Sequence, residues 1–150
     1  MWDDYLEEST NVVKSNIKRN KMITILSYLL IWAIAMIAFW FFKDDSSAMG
    51  YSLLYLWVLL PVTTFFVSVI IGINDFWGIK KWAFTVFFGI MYMLAEYGTF
   101  KMANNIAFNK LNAPDWGMIA GGTIISATGM LIGFLFHLIG SAENKKRRSV

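Results

Sequence analysis

Charged side chains are missing from three long stretches of this chain: none lies between Asp45 and Asp75, none between Lys81 and Glu96, and none between Asp115 and Glu143. A hydrocarbon core about 30 Å thick needs about 20 helical residues at 1.5 Å each, and charges inside it are expensive. Four segments reach that length, at about 22–42, 51–73, 82–102 and 116–140. None alternates apolar and polar residues as a barrel strand does, so each satisfies its backbone within a helix. The first is too long for a signal-peptide core and follows a polar, partly acidic leader, so it is expected to remain as a span. With 57% hydrophobic and 15% charged residues and a mean hydropathy of +0.54, the composition is that of an integral membrane protein.

Short connections at 43–50, 74–81 and 103–115 set each helix beside its predecessor. The expected fold is therefore all-α, an antiparallel four-helix membrane bundle. Residues 1–21 form a short cytoplasmic N-terminal segment, 22–142 the transmembrane domain, and 143–150 a basic cytoplasmic tail. Basic residues fix the orientation. Lys14, Lys18, Arg19 and Lys21, then Lys80 and Lys81, then Lys145, Lys146, Arg147 and Arg148 share one side, leaving Lys43, Lys101 and Lys110 on the other. By the positive-inside rule both termini are cytoplasmic. The tail reads as an orientation signal that meets anionic lipid rather than nucleic acid. Trp40, Tyr51, Trp77, Trp82 and Trp116 fall at span ends, where amphipathic rings favour the interface.

The N-terminal segment puts Trp2, Leu6, Val13 and Ile17 near one helical face, with Asp3, Asp4, Glu7 and Glu8 ahead of the bases. It reads either as an amphipathic helix on the membrane surface or as a solvated leader, the Ser9–Thr10–Asn11 run weakening the helix. No internal repeat supports an inverted-repeat transporter.

At 100° per residue, Gly122, Ser126, Gly129, Gly133, His137 and Gly140 form one seam of small residues along the fourth helix. Lipid offers no hydrophobic drive between helices, so such a seam marks close packing. Its partner is either another helix of the bundle or a second protein. His137, the single histidine, falls at the cytoplasmic interface with no second ligand at its depth, so no metal site is expected.

Glu96 is the one acid inside the spans, about 21 Å along the third helix from Trp82. It shares a face with Gly89, Tyr92, Met93, Thr99 and Ala103, the side expected to face protein. Lys101 is five residues on, about 140° around an α-helix, and is expected to snorkel to water. Without a cation at its depth the acid is favoured neutral, as a hydrogen-bond donor. Pro61 lacks the amide proton that would bond Trp57 O, and is expected to kink the second helix. The expected polar cluster, or protonatable site, has Glu96 meeting the freed carbonyl of Trp57, Tyr92, or the hydroxyl of Thr123 or Ser126.

Two functions compete. One is a small non-enzymatic membrane protein that binds or regulates another membrane component through its transmembrane helices, above all the fourth, and its termini. The alternative is a homo-oligomeric small transporter or channel using Glu96. The chain is similar to the small multidrug transporters in having four short helices and one membrane glutamate, but there the acid is on the first helix. No H-E-x-x-H or G-x-S-x-G motif occurs, the acid pairs Asp3–Asp4 and Asp44–Asp45 fall in exposed segments, and neither an enzymatic activity nor a cofactor is expected. The partners expected are the lipid bilayer and either further copies of the chain or a larger membrane complex. Small size and the absence of N-glycosylation sequons suggest a bacterial plasma membrane.

Overall fold

The computed structural model describes residues 2–41, 50, 54–74 and 77–147, with side chains described from residue 6 to residue 142 within these ranges. The connection expected at 43–50 (Gly50 apart), Tyr51 and the basic side chains of the tail lie outside the described residues. All regular structure among the described residues is helical. Four rods carry it: α1 (Trp2–Phe41), α2 (Tyr55–Asn74), α3 (Gly78–Phe108) and α4 (Trp116–Arg147). Each is long and apolar enough to cross a bilayer, which by that criterion makes the chain a multi-pass membrane protein.

α1 runs unbroken for 40 residues, about 60 Å, so residues 2–21 continue the axis of the first span. The Ser9–Thr10–Asn11 run does not interrupt it. Ser9 Oγ and Thr10 Oγ1 both donate to Leu6 O, at 2.9 and 2.7 Å, so these side chains are satisfied within the helix.

α2 and α3 are composite. α2 opens with a π-turn (Tyr55–Leu59) that leads into Leu60–Asn74, with Pro61 in its first turn. α3 begins with a 3-10 turn (Gly78–Trp82), continues as Ala83–Glu96, widens into a second π-turn (Tyr97–Lys101) and ends as Met102–Phe108. The expected loop 103–115 is therefore shorter: Met102–Phe108 is helical. Nothing in that run breaks a helix until Asn109, whose φ of 49° terminates it in the left-handed conformation that asparagine tolerates. Asn105 Oδ1 then accepts from the backbone and side-chain nitrogens of Asn112, at 2.8 and 2.9 Å, folding the connection back.

Cross-helix contacts give the direction of each rod. Tyr28 meets Thr64, and Trp32 Nε1 donates to Met91 O (3.1 Å) while Trp40 Nε1 donates to Gly98 O (3.2 Å), so α1 is antiparallel to α2 and parallel to α3. Ser68 pairs with Ser126 and Ile73 with His137, so α2 and α4 are parallel. Lys81 lies over Phe134 and Gly89 against Gly122, so α3 and α4 are antiparallel. The order is up-down-up-down.

The three later rods pack through small residues. A Cβ on Gly133 would meet Gly72 Cα and Ile73 N at 3.0 Å, and one on Gly129 would meet Phe65 O at 2.6 Å. One on Gly122 would meet Tyr92 Cβ at 2.7 Å and Gly89 Cα at 3.0 Å. Gly122, Gly129 and Gly133 of the seam thus face the chain's own α2 and α3, while a Cβ on Gly140 would meet nothing within 4 Å. α1 is held farther off, through Tyr28, Trp32 and Trp40. Its apolar window is 17% buried, against 44% for α3. Two buried clusters fill the interior, one around Tyr28, Ile71, Phe88 and Met130, the other around Tyr55, Leu60, Tyr92 and Ala95. Large apolar residues such as Leu30, Trp57, Phe66, Ile124 and Leu135 point outward, as lipid permits and water does not.

A methyl group added at Gly121 would meet nothing within 4 Å, unlike one at Gly133. In unfolding titrations in bicelles, Gly133→Ala is expected to lose about 1–3 kcal/mol as backbone is forced apart, and Gly121→Ala less than about 0.5 kcal/mol. Equal losses would mean that the seam is not where α4 packs.

Candidate functional site: the polar pairs and the buried carboxylate

Pro61 determines the first polar pair. Because the turn before it is a π-turn, Leu60 N–H bonds Tyr55 O, five residues back. In that register the proline's missing N–H leaves the carbonyl of Leu56 unserved, not that of Trp57. Tyr92 Oη donates to Leu56 O, joining α3 to α2. Trp57 was expected to offer the free carbonyl; the orphan is displaced by one residue, and the Trp57 side chain is 71% exposed on the outer surface of the bundle.

Ser126 finds a different partner as well. Its hydroxyl meets Ser68 Oγ at 2.8 Å with both residues fully buried. Thr123 sits over Gly89, where a Cβ would collide with its Oγ1. Neither reaches Glu96. The parallel run of α2 and α4 carries Ser126 to the level of Ser68, toward the basic end of the bundle. The expected five-membered cluster is therefore divided: Tyr92 with α2, Ser126 with α2, Thr123 against α3, and Glu96 apart from all of them.

Glu96 is buried, 6% exposed, and its partner is Lys101: Oε1 lies 3.8 Å from Nζ. The expectation that Lys101 would turn away assumed α-helical geometry. The π-turn Tyr97–Lys101 changes it, because an i→i+5 ladder brings residues five apart onto one side of the helix. Lys101 Nζ also donates to Ala113 O at 2.8 Å. Glu96 Oε2 is buried without a hydrogen-bond partner. Thr99, on the same turn, returns its hydroxyl to Ala95 O at 2.7 Å. The widened turn also presents Gly98 O to the Trp40 indole, which ties α1 to this level. Trp40 is thus a packing donor as well as an end-of-span ring.

Sequence reasoning missed the π-turn, which no residue pattern in Tyr97–Lys101 marks. Two cation–π contacts were also missed. Lys81 is buried with its ammonium 4.3 Å from the centre of the Phe134 ring, and Lys21 lies 5.2 Å from the Trp77 ring. His137 Nδ1 lies 2.8 Å from Ile73 O and, as a carbonyl only accepts, donates to the last turn of α2. At the start of α4, Asp115 Oδ1 accepts from Gly117 N at 2.8 Å, an N-cap. Among the described residues no three His, Cys, Asp or Glu side chains converge as metal ligands would.

No protein-family model, curated protein or solved structure matches the chain.

Proposed function

We propose that this is a small non-enzymatic integral membrane protein that binds or regulates another membrane component through its transmembrane helices. The observation that carries the reading is the uneven packing of the bundle. α2, α3 and α4 close on one another through glycines and hydroxyl pairs, whereas α1 keeps an open apolar face along Ile23, Leu26, Leu30 and Ile37. Most of the polar groups inside the bundle are spent on holding helices together, which supports a scaffold over a catalyst. Because the α4 seam is occupied within the chain, α1 replaces it as the partner-facing helix. The basic residues support cytoplasmic termini, with the tail at anionic lipid and not at nucleic acid. Small size and the lack of sequons support a bacterial plasma membrane.

The second reading, a homo-oligomeric transporter or channel, is favoured by one observation: Glu96 Oε2 is buried and unpartnered, as expected of an intramembrane acid with a use beyond packing. Gly121, open to the outside, leaves a small-residue position where copies can meet.

A photo-crosslinking residue at Leu30 separates the readings. The first predicts capture of a distinct membrane protein in native membranes; adducts with lipid alone would contradict it. Glu96→Gln, isosteric and uncharged, is expected to leave folding and that capture unchanged. If it instead abolishes a pH-dependent flux in proteoliposomes, the transport reading replaces the first.

A further inference from the structure

The two carboxylate oxygens of Glu96 differ. Oε1 faces the Lys101 ammonium at 3.8 Å, while Oε2 is buried with no hydrogen-bond partner. A buried carboxylate oxygen left in that condition has lost its water and gained no donor in exchange, and such atoms in native proteins call for an explanation. A metal ion does not fit. Lys101 already holds the cation's place beside Oε1, and a hard cation needs about six oxygen ligands where one carboxylate is present. An anion would sit against the carboxylate. The ligand that fits Oε2 is a proton.

Lys101 makes the proton's arrival consequential. Its ammonium is engaged twice, by Glu96 Oε1 and by Ala113 O at 2.8 Å. Ala113 lies two residues before Asp115, whose side-chain and main-chain oxygens accept from Gly117 N and Met118 N at the start of α4. The amine therefore ties the α3–α4 connection to the buried acid. We propose that Glu96 is a proton-binding site whose occupancy releases Lys101 and loosens the connection beyond Asn112, at 113–115, Asn105 holding Asn112 independently. The proton adds to Oε2 and forms one O–H bond, leaving a neutral carboxylic acid; the ammonium keeps its own protons. A neutral acid no longer offsets the desolvation of the ammonium, and the four-carbon stem of Lys101 lets it turn to water.

Among the described residues the other ionisable groups around Glu96 are few. Asp115, at the start of α4, is close enough to interact electrostatically with it. Lys110 is exposed on the connection, Tyr92 and Tyr97 lie on α3, and Tyr55 on α2. α1 brings none between Met22 and Phe41 other than Tyr28, which bonds Thr64. Among the described residues Asp115 alone shares carboxylate chemistry with Glu96 at this end, so the test must separate the two.

This proposal deepens the transport reading at the same residue but needs no flux, so the two fail separately. The chain contains no cysteine, and Ala113 is exposed and bonded by Lys101 through its main chain, which leaves its side chain open to a label. A nitroxide on Ala113→Cys in nanodiscs reports the mobility of the connection. Mobility is expected to rise as pH falls in the otherwise native chain, and Glu96→Gln is expected to abolish the response and hold the label mobile throughout. Mobility independent of pH in the native background overturns the proposal. So does a response that survives Glu96→Gln, which would assign it to another acid such as Asp115. Should Glu96→Gln not fold, Lys101→Met is the second variant: loss of the response supports the proposal, and an unchanged response overturns it.

Discussion

The close approach of α4 to α2 and α3 is the constraint on which the remaining structure depends. Inside lipid, apolar side chains gain little from leaving a solvent as apolar as themselves, so helices are held by dispersion at short range and by the few hydrogen bonds that short range permits. Gly122, Gly129 and Gly133 provide that range, and Gly72 and Gly89 answer them from the facing rods. The Ser68–Ser126 pair exists because the backbones at this level are near enough for two short side chains to meet. Without the glycines, the hydroxyls would lose each other along with the helices.

The two π-turns are a second organising feature, and each serves a specific polar group. Before Pro61 the wide turn moves the unserved carbonyl to Leu56, within reach of Tyr92 on α3. Between Glu96 and Lys101 it turns a lysine that an α-helix would send elsewhere back over the acid. It also exposes Gly98 O to the indole of Trp40, which helps to hold α1 to the bundle. Both turns lie toward the end of the bundle away from the termini, so polar adjustment is concentrated there and close glycine packing extends toward the other end.

Much of the architecture was legible in the sequence for a geometric reason. The thickness of a bilayer converts charge-free length into span number, and the 3.6-residue period converts glycine spacing into a seam. Helix ends were less legible. Met102–Phe108 contains no breaker, and only Asn109 ends the rod. The polar contacts were least legible, because a single extra residue in a turn rotates everything after it. Assuming uniform α-helix assigned the free carbonyl to Trp57 and sent Lys101 outward; the register of five reversed both. Which neighbour Ser126 would meet depended on how α2 and α4 are rotated and levelled against each other, a tertiary fact that neither helix encodes alone.

Disulfide trapping tests the central claim most directly, since the native chain has no cysteine to confuse it. Ser68 Oγ and Ser126 Oγ are 2.8 Å apart. Chains carrying cysteine at both positions, oxidised in membranes, should form an intramolecular disulfide rapidly and remain monomeric on a non-reducing gel. Failure to cross-link, or cross-linking only between chains, would contradict the account, because α4 would then pack against something other than its own α2.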